Sequence, residues 1–150
     1  ELACYAIQYH RQRDGDAALL AAKPLWFTGQ ATPDACEPLF AQLIAQKVIT
    51  ADDRASRVRL AAETGNLRLM RSLADALPGD ARVKPAELSA IDRDPQRALA
   101  RGQFHWKTPA GRTLALYALE RAGRADAGAA HEAWLKWRDR LPVADRDYGN

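Results

Sequence analysis

The chain has 150 residues, of which 47% are apolar and 27% are charged, with a net charge of +3. Alanine and leucine supply most of the apolar residues and β-branched residues are sparse, so the composition favours helices over strands. The apolar residues recur periodically, which argues against a disordered chain. No run of apolar residues is nearly as long as the roughly 20 residues that a membrane-spanning helix needs. The chain opens without a methionine or a signal peptide, in a segment typical of the middle of a helix. We therefore expect an internal fragment of a longer protein.

Glycine and proline divide the first part of the chain into helices. The first is predicted from the start to about Arg13, where Asp14-Gly15-Asp16 ends it and caps the second. The second covers about 16–28, and Pro24 inside it is expected to kink or restart the helix. The third begins at Thr32-Pro33-Asp34. Its apolar residues recur every three or four positions and predict one buried stripe of Cys36, Leu39, Phe40, Leu43 and Ile44.

The next two helices are predicted to form an antiparallel hairpin. The fourth begins at Asp52 or Asp53 and ends at Gly65. Asn66 then caps the fifth, which Pro78-Gly79 closes. The short joint between the two helices leaves room only for an αα-hairpin. The apolar side of the fifth helix comprises Leu69, Met70, Leu73 and Leu77.

The second half of the chain follows the same rhythm. Two short helices are predicted at 85–91 and 95–101. Longer ones follow, from Pro109 or Ala110 to Gly123 and from Asp126 to before Pro142, and a last one begins at Asp145. The sequence thus predicts an all-α protein of about eight to ten short helices. Short connections make neighbours antiparallel, which favours an α-solenoid of helical hairpins, with a compact bundle as the alternative.

Two cysteines occur, Cys4 on the first predicted helix and Cys36 on the third. Alternate helices of an array lie side by side, so the two thiols are within reach of a disulfide. Closing a loop of about 33 residues would stabilise the fold by roughly 3–4 kcal/mol. Two buried free thiols are the alternative, and the pair alone does not decide between them.

The sequence offers no metal or cofactor site. His10, His105 and His131 are far apart and lack a second ligand at helical spacing, and no phosphate-binding glycine loop is present. The aspartates lie at helix starts, where they act as caps rather than as desolvated catalytic acids. These cap positions are Asp14, Asp16, Asp34, Asp52, Asp53, Asp126 and Asp145.

A group of arginines falls on the fourth and fifth helices. It is a candidate face for an anionic ligand such as phosphate or carboxylate, and a solvated helix face is the alternative. The group comprises Arg54, Arg57, Arg59, Arg68 and Arg71. The four tryptophans, Trp26, Trp106, Trp134 and Trp137, are predicted to anchor packing between helices rather than to stack on sugars or bases.

Three segments of the first half form a distinctive combination. Residues 22–29 read Ala-Lys-Pro-Leu-Trp-Phe-Thr-Gly, and residues 33–40 read Pro-Asp-Ala-Cys-Glu-Pro-Leu-Phe. Residues 57–66 read Arg-Val-Arg-Leu-Ala-Ala-Glu-Thr-Gly-Asn, and Cys4 stands before Tyr5. Together they resemble the helical domain of the large soluble lytic murein transglycosylases of Gram-negative bacteria. The resemblance extends from Cys4 to about Pro78, with Pro24 in place of the family's usual helix former.

The resemblance implies a long periplasmic chain whose helices coil into a U-shaped or ring-like superhelix, with Cys4 joined to Cys36. It also implies a separate lysozyme-like domain, with one acid/base glutamate, that cleaves between N-acetylmuramic acid and N-acetylglucosamine and leaves 1,6-anhydro ends. The signature of that domain is Glu-Ser followed later by Gly-Leu-Met-Gln. Here only Glu63-Thr64 pairs a glutamate with a hydroxyl residue, and no Gly-Leu-Met-Gln follows it. We therefore expect residues 1–150 to belong to the superhelical domain and to hold no catalytic residue.

Three hypotheses follow for function. The first is a non-catalytic module of such an enzyme, located in the periplasm and without a cofactor. Its partners would be peptidoglycan glycan strands and the catalytic domain of the parent chain, and nucleic acid would not be one. The second is an unrelated helical-repeat scaffold for a protein partner. The third is a basic helical module for nucleic acid, favoured only if the arginines form one continuous stripe.

Overall fold

The structure, a computed structural model, describes residues 2–149. All regular structure in this range is helical and no strand occurs in it, which confirms the all-α class. None of the helices in this range has the length and apolar character needed to cross a bilayer. The chain divides into two compact units, residues 1–73 and 74–150.

The first unit contains five helices and two 3₁₀ segments. The α-helices are α1 (Leu2–Asp14), α2 (Lys23–Trp26), α3 (Glu37–Ala45), α4 (Ala51–Glu63) and α5 (Leu67–Asp75), whose last two residues belong to the second unit. The 3₁₀ segments are Gly15–Ala22 and Asp34–Cys36. The second predicted helix is therefore corrected, because its first part is 3₁₀ and an α-helix begins only at Lys23. Pro24 lies in the first turn of α2, where no backbone N–H is required, so the predicted restart is confirmed.

One apolar cluster forms the core of this unit. The predicted stripe of the third helix lies in it, with only Ile44 partly buried. Trp26 meets Phe40 edge to face, with 5.2 Å between the ring centroids. The buried members of the cluster are Cys4, Leu19, Ala22, Trp26, Cys36, Leu39, Phe40, Leu43 and Ile49.

The ends of α4 show how side chains fix its length. The predicted start at Asp52 or Asp53 is corrected by one or two residues, because Thr50 is the cap and α4 begins at Ala51. Asp53 N–H donates to Thr50 Oγ1 at 3.1 Å, and Thr50 N–H donates to the Asp53 carboxylate at 2.9 Å, which completes a capping box. Gly65 takes a left-handed φ of 72° after α4, as the punctuation predicted. Asn66 then caps α5, since its Oδ1 accepts the N–H of Leu69 at 3.3 Å.

The second unit is built around α8. Its α-helices are α6 (Pro85–Arg93), α7 (Pro95–Arg101), α8 (Pro109–Gly123), α9 (Ala127–Trp137) and α10 (Val143–Gly149). Prolines begin α6, α7 and α8 as predicted, whereas α10 begins two residues before the predicted Asp145. Helix α8 packs against α6, α7 and α9, and small residues bring it close to its neighbours: Gly111, Ala115, Ala118 and Ala122 are all buried.

Aromatic rings close the core of the second unit. Phe104, Trp106 and Trp137 meet edge to face with centroid separations of 5.3–5.7 Å. Trp137 is buried and Trp106 is partly buried, in keeping with their predicted role in packing. Trp134 is only half-buried, and the buried residues of α9 are Ala133 and Trp137.

Candidate functional site

Cys4 and Cys36 form a disulfide in the first unit, with 5.1 Å between their Cα atoms. Cys4 lies on α1, and Cys36 ends the 3₁₀ segment before α3. Both residues are buried. The bridge expected from the family resemblance is therefore present in the structure, and it ties the first helix to the start of the third.

Gly29, the last residue of the 22–29 segment, contacts the end of α4 directly. A Cβ atom placed on Gly29 would lie 2.2 Å from the carbonyl oxygen of Leu60. Thr64 Oγ1 lies within hydrogen-bond distance of the carbonyl oxygens of Gly29, at 2.9 Å, and of Leu60, at 3.0 Å. Two of the segments that carry the family resemblance are therefore halves of one packing contact.

A second contact between these segments joins Trp26 to α4. The Arg57 guanidinium lies 4.4 Å from the Trp26 ring centroid and 5.5 Å from that of Phe40. Arg57 Nη2 donates to Thr32 Oγ1 at 3.1 Å, and Trp26 Nε1 donates to the carbonyl oxygen of Asp53 at 3.0 Å. The conformation of residues 26–32 is thereby fixed by side chains as well as by backbone bonds.

Arg57 was predicted as part of an anionic-ligand face, and the structure places it in the interior instead. Only 3% of the residue is exposed, and its Nε finds no hydrogen-bond acceptor within residues 2–149. Burial lowers the pKa of Arg57, and the charge of Glu37 opposes that shift. The guanidinium lies against the aromatic faces of Trp26 and Phe40, an arrangement that favours a buried cation.

The other predicted arginines differ among themselves. Arg68 is exposed, whereas Arg54, Arg59 and Arg71 are half-buried. These three interact within the protein, and Arg59 Nη2 donates to Ser56 Oγ at 3.2 Å. Because Arg57 is buried between them, these arginines do not form the continuous stripe that the nucleic-acid hypothesis requires.

The glutamates were expected to be unsuited to acid catalysis, and the structure shows their surroundings. Glu37, Glu63, Glu87 and Glu132 are exposed. Glu120 is half-buried and lies 2.6 Å from Nη2 of Arg124. Glu63 ends α4, and the neighbouring Thr64 is engaged with backbone carbonyls. Glu120 Oε2 is buried without a hydrogen-bond partner within residues 2–149, but this carboxylate is paired with Arg124. The other four carboxyl groups are solvated, unlike a catalytic acid in a desolvated pocket.

A polar network that joins α6 to α8 was not predicted from the sequence. Tyr117 OH donates a short hydrogen bond to Oδ1 of Asp92, and Arg121 Nε lies 3.0 Å from the same atom. Tyr117 and Arg121 are four residues apart, so they share one face of α8. The partner on α6 is reached only through the tertiary fold, which spacing alone does not reveal.

Two depressions in the second unit also escaped the sequence analysis. One lies between α6 and α7 and has a volume of about 450 Å³, with Arg93, Arg97 and Arg101 in its lining. The other lies between α7 and α9 and has a volume of about 560 Å³, with Arg101, Lys136 and Arg140 in its lining. Arg101 belongs to both, so the two depressions share a basic rim. These residues were not predicted from the sequence because they belong to four different elements: α6, α7, α9 and the 3₁₀ segment Arg138–Arg140.

No model of a known protein family matches the chain. Soluble lytic murein transglycosylases of Salmonella typhimurium and Escherichia coli K12 are each 30% identical to it over 112 residues. The aligned region is 75% of this chain but 17% of either relative. The chain thus spans about one sixth of the length of the curated relatives it matches.

Solved structures share the fold. An inactive mutant of the lytic transglycosylase Slt from Pseudomonas aeruginosa matches 99% of this chain with a TM-score of 0.72 and 24% identity. The 70 kDa soluble lytic transglycosylase Slt70 from Escherichia coli matches 97% with a TM-score of 0.66 and 24% identity. This chain covers 24% of each of those structures. Sequence and fold agree that the chain is a homologue of a helical segment of the soluble lytic murein transglycosylases.

Proposed function

We propose that the chain is a non-catalytic segment of the helical domain of a periplasmic lytic transglycosylase. The parent enzyme would cleave peptidoglycan between N-acetylmuramic acid and N-acetylglucosamine and leave 1,6-anhydro ends. This segment would maintain the shape of the helical domain, position the catalytic domain and contact the substrate. The observation that carries the proposal is the 30% identity over 112 residues to enzymes named for that reaction.

The positions of residues in the segments that carry the family resemblance support an architectural role. Gly29 and Thr64 close one contact, and Trp26 and Arg57 close another. Arg57 and Trp26 are buried, and Gly29 leaves no room for a side chain. A motif whose residues face one another inside the fold serves the scaffold, since catalytic residues must reach a substrate.

The disulfide supports the periplasmic assignment. Disulfides persist in oxidising compartments such as the bacterial periplasm and are rare in the cytosol. Denatured, unreduced protein recovered from its native host is therefore expected to show no reactive thiol. Two reactive thiols per chain would contradict this assignment.

Sedimentation with purified sacculi tests the contact with peptidoglycan. The chain should co-sediment with sacculi at physiological salt, and a control protein of the same size and net charge should stay in the supernatant. Cellulose particles serve as a second control for general polysaccharide adsorption. Equal recovery of the chain and the charge-matched control in the pellet would contradict the proposal.

A further inference from the structure

The cleft between α7 and α9 has an apolar floor and a basic rim. Leu99, Ala133 and Trp137 form the floor and are buried. Arg101, Lys136 and Arg140 line the rim and are exposed. The volume of about 560 Å³ falls within the range typical of sites that hold a small molecule or part of a chain.

The positive charge of this region extends into the adjoining depression, where Arg93 and Arg97 continue the rim. Only Asp94 and Glu132 provide acidic side chains in the two linings. The Asp94 carboxylate accepts the N–H of Arg97 at 2.9 Å as the cap of α7, so it is already committed. With five basic and two acidic residues, this surface has a net charge of +3, which equals the net charge of the whole chain.

Other arginines of the second unit form ion pairs with aspartates. Arg112 Nε lies 2.8 Å from Asp145 Oδ2, and Arg121 Nε lies 3.0 Å from Asp92 Oδ1. Within residues 2–149, by contrast, no carboxylate forms an ion pair with Arg101, Lys136 or Arg140. Arg140 lies 5.4 Å from the Trp106 ring centroid, so its position is partly fixed. Uncompensated like charges repel one another, and an anionic ligand would relieve that repulsion.

We infer that this cleft binds the carboxylates of an extended peptide. Arg101, Lys136 and Arg140 pair with the carboxylates, and the peptide lies over the floor of Leu99, Ala133 and Trp137. The choice of natural ligand rests on the proposed function: it is the peptide stem of peptidoglycan, which carries several carboxylates on a short chain.

Two features distinguish a peptide from other polymers of the same environment. Trp137 is only 6% exposed, so its ring face is not available to stack on a sugar or a base. Glu132 stands on the rim among the basic residues, which disfavours a continuous phosphate backbone and suits a ligand that carries donors as well as carboxylates.

The test compares two triple variants of the full chain. The cleft variant is Arg101→Gln/Lys136→Gln/Arg140→Gln. The control variant, Arg13→Gln/Lys84→Gln/Lys107→Gln, removes the same charge at exposed positions outside the cleft. Circular dichroism and thermal denaturation verify that both are folded. The single substitution Lys136→Glu, on the exposed side of α9, probes the same rim with less change.

Affinity is measured by calorimetry for muropeptides that carry stems and for glycan strands whose stems an amidase has removed. The cleft variant is expected to bind the stem-bearing fragments about tenfold more weakly, since three exposed ion pairs are lost. The control variant should stay within about twofold of the unmodified chain, and the single substitution Lys136→Glu should weaken binding relative to the unmodified chain. The stripped strands should bind more weakly than the stem-bearing fragments.

The outcomes separate this inference from the proposed function. If the unmodified chain sediments with sacculi and the cleft variant binds muropeptides undiminished, the inference is wrong and the proposed function stands. If the unmodified chain does not sediment with sacculi, the proposed function is wrong. Hexaglutamate then probes the cleft alone: a tenfold weaker affinity in the cleft variant supports a carboxylate site, and equal affinities refute it.

Discussion

At the scale of single residues, Gly29 carries the sharpest steric constraint. An added methyl group would lie 2.2 Å from the Leu60 carbonyl oxygen and 2.5 Å from Oγ1 of Thr64. Neither atom can move aside without breaking hydrogen bonds at the end of α4. We expect Gly29→Ala to lower the free energy of unfolding by about 2–4 kcal/mol, measured by urea denaturation.

Gly15→Ala is the matched control. Gly15 has a φ of 74° and no atom within 4 Å of an added Cβ, so only the backbone conformation resists the methyl group. Its cost should be about 1 kcal/mol. Equal losses in the two variants would show that contact with α4 does not constrain Gly29.

Replacing Lys47 with glycine is expected to stabilise the protein. Lys47 follows α3 with a left-handed φ of 57°. At this end of the helix, the N–H of Lys47 donates to the carbonyl oxygen of Ile44, and the N–H of Val48 donates to that of Leu43. Glycine adopts this conformation without a Cβ clash, so Lys47→Gly should raise the free energy of unfolding by about 0.5–1 kcal/mol in urea denaturation. Lys47→Ala keeps the Cβ and should give no such gain; a gain as large would contradict the explanation.

Arg57 shows where residue types mislead. Its charge and its spacing from Arg54 and Arg59 predict a surface cluster, because arginine is seldom buried. The side chain is buried because Trp26 and Phe40 supply two aromatic faces from distant parts of the chain. Only the family resemblance, in which Arg57 belongs to a motif, pointed to a specific role. The floor and rim of the α7–α9 cleft depend in the same way on contacts that spacing does not encode.

At the scale of elements, the start of α4 is predicted to depend on pH. The hydrogen bond from the backbone N–H of Thr50 lowers the pKa of Asp53 below its usual 3.8. Desolvation of the carboxylate opposes this shift. Lys23 lowers the pKa further, since its Nζ lies 2.9 Å from Asp53 Oδ2. Because the pKa in the folded state is depressed, the stabilisation is complete above the unfolded pKa. It is lost as the pH falls below about 4.

Asp53→Asn tests this assignment. The variant should be less stable by about 1 kcal/mol at pH 7, and the difference should shrink steadily as the pH falls below about 4. Urea denaturation across this pH range measures it. Asp52→Asn, at an exposed position in the same turn, should change stability by no more than about 0.5 kcal/mol. A difference for Asp53→Asn that stays constant down to pH 3 would contradict the role of the carboxylate.

The disulfide joins two cysteines, on different elements, that are 32 positions apart along the chain. Reduction should lower the free energy of unfolding by about 3–4 kcal/mol, because the unfolded chain regains the entropy of a closed loop. Urea denaturation with and without dithiothreitol measures the effect. The variant Cys4→Ala/Cys36→Ala should not respond to the reductant, and an unchanged midpoint for the unmodified chain would contradict a stabilising bridge.

Most helices were predictable because their ends are encoded locally. Pro85, Pro95 and Pro109 begin helices where the sequence placed them, since proline suits the first turn. The 3₁₀ segment Gly15–Ala22 was missed, because its alanines and leucines are equally good α-helix formers. The cap of α4 was misplaced by two or three residues, since Thr50, Asp52 and Asp53 are all residues that commonly cap helices and only the hydrogen bonds distinguish them.

At the scale of the whole molecule, each unit has a core of its own. Cys4, Trp26 and Phe40 belong to the first core, and Leu99 and Trp137 belong to the second. The segments that carry the family resemblance all lie in the first unit, whereas the basic cleft lies in the second. Architecture and ligand contact are thus assigned to different parts of the chain, so variants can test them separately.

The chain alone is expected not to degrade peptidoglycan. A lytic transglycosylase needs a glutamic acid whose pKa a desolvated pocket raises, and the five glutamates within residues 2–149 are exposed or paired with arginine. Incubation with sacculi should release no 1,6-anhydro muropeptides above the buffer background, as measured by liquid chromatography and mass spectrometry, while an active transglycosylase releases them. Glu63→Gln is the decisive variant, because Glu63-Thr64 is the only pair that resembles the catalytic signature. Product release that disappears in this variant would show that the chain holds an active site and that the proposed non-catalytic role is wrong.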